Sequence, residues 1–218
     1  MELTDDVAIF KPGSLPYGKT YAQWSAEWCK WLLSIPRKKS PVMDDTGRNC
    51  SYHQGGSVWF LVGTLGGQAT RKCIIPPRKS ILFPIVVKEC SYAEDIDLKT
   101  DDELSSRVRE DMDHVVHMEA NIDGVKIYGL ENYRFHSELF DFVFPHDNIY
   151  GVKAGPTWAV CEGYWLMLKP LLPGKHMIYF YALVYVPKGT MLSELSKRYN
   201  NMDGTLFRTE VTYEITID

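Results

Sequence analysis

Three indoles, Trp24, Trp28 and Trp31, recur at helical spacing near the start of the chain, with Glu27 between them. Aromatic faces bind cations and the apolar faces of sugars, so this stripe is a candidate ligand platform. A carboxyl held against aromatic surface has its pKa driven up and can serve as a general acid. The simpler account is structural. An amphipathic helix packs such a stripe on a sheet, each buried ring contributing roughly 1.5–3 kcal/mol. Glu27 then pairs with Lys30, three residues on.

His114 and His117 stand three residues apart among Asp111, Asp113 and Glu119. On one helix they would form half of a metal site. An alternating strand pattern begins near Val115, however, and would break that geometry, so no metal is expected. His53, His136 and His146 complete the set from which a histidine–carboxylate site could be built. His176 follows a Pro-Gly turn and reads as structural. Asp95, Asp97, Asp101 and Asp102 have the oxygens for a calcium ion, but the glycine and terminal glutamate of an EF-hand loop are missing. A solvated acidic loop is the better account. Nucleophile motifs are absent: there is no Gly-x-Ser-x-Gly, and Gly63–Gly67 lacks the Lys-Ser/Thr end of a phosphate-binding loop. No cofactor is expected.

Five cysteines at wide spacing, with no C-x-x-C pair, do not make a disulfide scaffold or a zinc knuckle in a chain of 218 residues. Cys50, Cys73 and Cys90 share one β-rich stretch, and two of them would pair in an oxidising compartment. In a reducing one all five are small buried hydrophobes. The net charge of −4 lacks the basic excess of a nucleic-acid binder. No apolar run approaches the ~20 residues of a membrane-spanning helix. The chain therefore reads as soluble: cytoplasmic if Met1 is the native start, extracellular or periplasmic if a leader was removed.

The elements that must position these residues are mostly strands. Residues 1–19 form an irregular arm punctuated by Pro12, Gly13, Pro16 and Gly18. Thr20 and Gln23 make a capping box for a helix over residues 20–35, ended by Pro36. Strands are expected at Val58–Val62, Ile81–Val87, Val116–Ile122, Tyr133–Val143, Trp158–Leu168, Lys175–Val186 and Leu206–Ile217. Pro84 marks a bulge or an edge within the second of these. Asp123-Gly124 makes a hairpin turn. Residues 94–114 are an acidic insert. Nine acids between 94 and 113 face only Lys99, Arg107 and Arg109, and a capping box at Thr100 opens a short helix over about 101–113. The absence of a β-α-β rhythm excludes a Rossmann-like sheet. The expected fold is mainly β, an antiparallel sandwich or jelly roll. Residues 20–218 form a single domain with an N-terminal Trp-rich helix and the acidic helical insert.

Several strings taken together carry a resemblance. They are YGKTYAQWSAEW at 17–28 leading to Trp31 and Leu33–Pro36, VWFLVGT at 58–64, and Thr70–Cys73. Phe83-Pro84, Glu89-Cys90-Ser91, Asp123-Gly124 and GYWLMLKPL at 163–171 with Pro173–His176 complete the set. The set spans nearly the whole chain and resembles a group of uncharacterised bacterial and archaeal proteins with no established activity. The resemblance therefore implies no site residues. Such relatives often carry a leader ahead of the Tyr17–Tyr21 segment, which this chain lacks.

Two functional expectations follow. The first is a non-enzymatic binding or assembly module for a glycan, a small molecule or a protein subunit, compatible with a homo-oligomer. Its aromatic content suits an interface. The alternative is a hydrolase or metal-dependent enzyme on a jelly-roll scaffold, using His and carboxylate side chains brought together by the fold.

Overall fold

The computed structural model describes residues 9–186 and 206–218. The first eight residues of the expected N-terminal arm lie outside that range. The protein is mainly β, with two five-stranded sheets packed face to face and two α-helices among the described residues. The first sheet contains β1 (Val58–Phe60), β3 (Ser80–Ser91), β8 (Gly155–Leu168) and β6 (Arg134–His136) in that order, with β7 (Phe140–Phe144) also pairing β8. The second runs β2 (Gly67–Ile75), β10 (Leu206–Ile217), β9 (Gly174–Tyr185), β4 (Val115–Ile122) and β5 (Val125–Lys126). Most pairs are antiparallel, but β1–β3 and β2–β10 are parallel, so both sheets are mixed.

The sheets close on an apolar layer in which Phe83 stacks on Phe180 at 5.0 Å and Phe180 on Tyr213 at 6.4 Å. Helix α1 (Tyr21–Leu33), opened by the Thr20–Gln23 capping box, covers the other face of the first sheet. There Trp28 meets Trp165 edge-on at 5.3 Å. Helix α2 (Asp101–Asp113) is capped by Thr100 and Glu103 as the sequence predicts. It lays Leu104 and Val108 on Cys90 and Val160 at the far end of β3 and β8. Strand β8 is covered on both faces, which is why Ala159–Leu168 reads as a continuous apolar run instead of an alternation.

The long strand expected over Tyr133–Val143 is two short ones. A 3-10 turn at Leu130–Tyr133 leads into β6, and β7 begins after Leu139. Strand β2 has no expected counterpart, because polar Gln68, Thr70 and Lys72 hide its inward Ala69, Arg71 and Cys73.

The bulge expected at Pro84 is present: the β3–β8 register shifts between Pro84 and Val86. Before it, Ile81 and Phe83 face the second sheet and Leu82 faces α1. After it, Val86 faces the second sheet and Val87 faces α1. One extra residue therefore inverts the parity of the strand, and it is this inversion that turns Glu89 toward α1. Gly163, opposite Val87, makes room for the bulge: a Cβ there would stand 2.5 Å from the Val86 carbonyl oxygen. Beyond Leu82, β3 has run past the end of β1, so its residues 84–89 form a free edge among the described residues.

Candidate functional site

That free edge forms one wall of a cavity of about 130 Å³. Trp28, Leu32 and Leu33 of α1 close one side. Gly63–Leu65 and the start of β10, with Phe207 and Thr209, close another. Ile149 and Tyr150, just before β8, complete the apolar lining.

The charged lining is Lys88, Glu89 and Glu94. Glu89 is 6% exposed, and no protein donor reaches either of its carboxyl oxygens. Its polar neighbour is the Glu94 carboxyl. Glu94 folds back over the end of β3 in a turn, its amide on the Ser91 carbonyl at 3.1 Å, and it accepts from the Ser91 hydroxyl at 2.8 Å. Burial drives the Glu89 carboxyl well above the ordinary range, and Glu94 adds to this. Burial also raises Glu94, against the pull of Glu89, Lys88 and Ser91. Tyr150 is pushed up by burial and then by the two carboxyls.

Lys88 lines the cavity and also reaches α2, its Nζ lying 4.0 Å from Asp111 Oδ2 with both side chains 11% exposed. Burial pulls its pKa down, but Glu94, Asp111 and Glu89 outweigh that and hold it above the usual lysine value. Behind the carboxyls lie two buried thiols. Burial pushes Cys29 up, and Cys161 hydrogen-bonds beside it.

Arg71 braces the rim. It is 0% exposed, and its Nε donates to the Asp44 carbonyl at 2.7 Å. Its Nη1 donates to the carbonyls of Val62 and Gly63, both at 2.9 Å. The next residue on that wall, Thr64, is held by its hydroxyl to Thr209 at 3.0 Å.

The three indoles do not act as one surface. Trp28 is buried, donates to the Leu61 carbonyl at 2.8 Å and lines the cavity. Trp24 and Trp31 are half-buried and pack on Phe60, and their N–H groups are spent on the carbonyls of Pro16 and Tyr52. Glu27 does not pair with Lys30. It takes Lys19 at 2.8 Å, while Lys30 reaches Asp141 at 3.6 Å, because α1 lies against the arm on one side and β7 on the other.

His114 caps α2 with its ring on the Glu110 carbonyl at 2.6 Å, whereas His117 sits in β4 against Glu119 at 2.8 Å. The two imidazoles therefore belong to different elements. Among the described residues no group of three or more His, Cys, Asp or Glu could hold a metal ion. His53 stacks on Tyr52, and His146, like His53, is exposed. The fold does bring His136 to a buried carboxylate, Glu162, at 2.9 Å. The other oxygen of Glu162 is taken by Arg134 at 2.5 Å. Burial raises the Glu162 carboxyl, but His136 and Arg134 outweigh that and leave it below the ordinary range.

All five cysteines are free and buried. Cys50 and Cys73, two of the three disulfide candidates, are hydrogen-bonded neighbours. Cys90 lies in the α2 cluster and donates to Asp95 at 2.9 Å. Titration of the reduced protein with a chromogenic disulfide is expected to find no fast-reacting thiol in the native state and five after denaturation. One or more rapid equivalents in the native protein would contradict this burial.

Sequence reasoning missed Glu89, Glu94, Tyr150 and Arg71. A signal was present for one of them: Lys88-Glu89 interrupts an apolar strand run, and a charged residue there must either leave the core or be used in it. Among the described residues no helix is long and apolar enough to cross a membrane. No family model matches the chain, and no curated protein matches it.

Proposed function

We propose that this protein is a non-enzymatic binding module that takes a small molecule with an apolar body and one hydrogen-bond donor into the cavity beside α1. The supporting observation is Glu89, a carboxyl 6% exposed at the cavity wall with neither oxygen partnered by the protein. Leaving a buried acceptor unmade costs about 1–3 kcal/mol. A mostly apolar cleft with one or two convergent polar groups is the usual form of a small-ligand site.

The test is a fragment screen by thermal shift, using compounds of up to about ten non-hydrogen atoms, against wild type and Leu65→Trp, which adds an indole to the cavity lining. A ligand at a hundred times its Kd stabilises by about 2.7 kcal/mol, or about 5–10 °C in Tm for a chain of this size. Hits are expected to lose that shift in the Trp variant. Hits that survive it bind elsewhere and overturn the assignment.

A hydrolase is the second reading, supported by the His136–Glu162 contact. It is the weaker one, because both Glu162 oxygens are already occupied within the protein.

A further inference from the structure

We infer that the ligand of this cavity is a small organic cation, an apolar body carrying one ammonium group whose N–H donors meet Glu89. The inference rests on the binding reading above and narrows it to a chemical class.

Three observations carry it. Glu89 has two oxygens at 6% exposure that no protein donor reaches, and Glu94 stands next to it, so once its proton leaves the cavity presents acceptors to a donor-bearing cation. The cation that faces the pair is committed elsewhere as well. Lys88 is the cation nearest the pair, and it is shared with Asp111 of α2. Asp95 accepts from the Cys90 thiol, and Arg134 and His136 are both engaged on Glu162, so neither carboxylate brings a spare cation. The remaining titratable groups facing the pair, Cys29, Cys161 and Tyr150, carry no positive charge in any protonation state. Finally, Trp28, Tyr150 and Phe207 supply aromatic surface, which attracts an ammonium as well as its hydrocarbon body. A cavity of about 130 Å³ compares with the ~150 Å³ that accommodates benzene, setting the ligand at about six to eight non-hydrogen atoms.

In the empty cavity burial keeps a proton on the carboxyl pair. An entering ammonium replaces it as the counter-charge, and one proton passes to solvent for each ligand bound. Uptake is thus coupled to proton release, and affinity rises with pH while the pair remains protonated in the free protein. The rise is at most tenfold per pH unit for one proton.

The experiment is calorimetric titration of the full chain with cyclohexylammonium and, separately, with cyclohexanol, each in two buffers of different ionisation heat. The amine is expected to bind at least tenfold more tightly than the alcohol, with a buffer-dependent heat equal to about one proton released. Glu89→Gln keeps the shape and is expected to cut amine affinity at least tenfold, abolish the proton release and leave the alcohol within about twofold. Leu65→Trp is expected to block both probes and guards against a folding defect in the first variant. If the alcohol binds as tightly as the amine, or the amine ignores Glu89→Gln, the cation inference is overturned while the binding cavity stands. If neither probe binds at millimolar concentration, both fall together.

Discussion

Arg71→Met lowers the unfolding free energy by about 3–5 kcal/mol, the largest single-residue loss expected outside the apolar core. Arg71 is fully buried, yet its nearest carboxylate, the exposed Asp45, is 3.9 Å away. What holds the guanidinium is a set of backbone carbonyls: Asp44 on one side, Val62 and Gly63 on the other, with the Tyr213 ring 5.6 Å from its centre. Methionine fills much of the volume but leaves the Asp44 and Gly63 carbonyls without these donors, at about 1–3 kcal/mol each. For a domain of this size the melting temperature should fall by about 10 °C. Arg71→Lys keeps the charge but cannot fork between two segments, so it should fall between the two. A methionine variant melting within about 2 °C of wild type would show that the guanidinium does not brace the rim.

Glu89→Gln acts in the opposite direction above neutral pH. The folded-state pKa of Glu89 is raised, by burial first and then by Glu94. Between the ordinary carboxylate pKa and that raised value, the folded protein holds a proton the unfolded chain has released. Stability is therefore fully present at acid pH and is lost as pH climbs, by up to ~1.4 kcal/mol per pH unit for one proton. Glu94 and Asp111, also raised by burial, contribute with the same sign. Glu162, held below its ordinary range, contributes with the opposite sign, its share being lost on acidification. Glutamine carries no proton to lose and offers Glu94 a donor. The variant should match wild type near pH 4 and exceed it by about 1–3 kcal/mol near pH 8. Denaturant unfolding at the two pH values decides it: parallel pH dependences for the two proteins would show that Glu89 is ionised in the fold.

The local elements were legible because each is written in a local code. The Thr20 and Thr100 capping boxes, the Asp123-Gly124 turn and the alternation of Leu206–Ile217 all need only a few consecutive residues to be read. The class followed from them: mainly β, a helix rich in tryptophan, an acidic helical insert. Strand β2 escaped because its inward residues include a charged one, Arg71, whose partners lie 8 to 142 residues away. The parallel pairings escaped because nothing within a strand records the direction of its neighbour.

The candidate site was decided at the tertiary level. The sequence marks Pro84 as a break, but only the pairing of β3 with β8 shows that the bulge inverts the strand and sends Glu89 to the α1 side, with Lys88 reaching α2 as well. The four residues between Glu89 and Glu94 carry no spacing signature; a turn over Ser91 brings the two carboxyls together. The same holds for His136 and Glu162, which are 26 residues apart. Local codes determine which segments become helices, turns and strands, because those choices are made by neighbours in the chain. Which side chains share a low-dielectric cavity is set by register and layer packing, and there the solvation energy that shifts a carboxyl comes from residues that no local pattern places together.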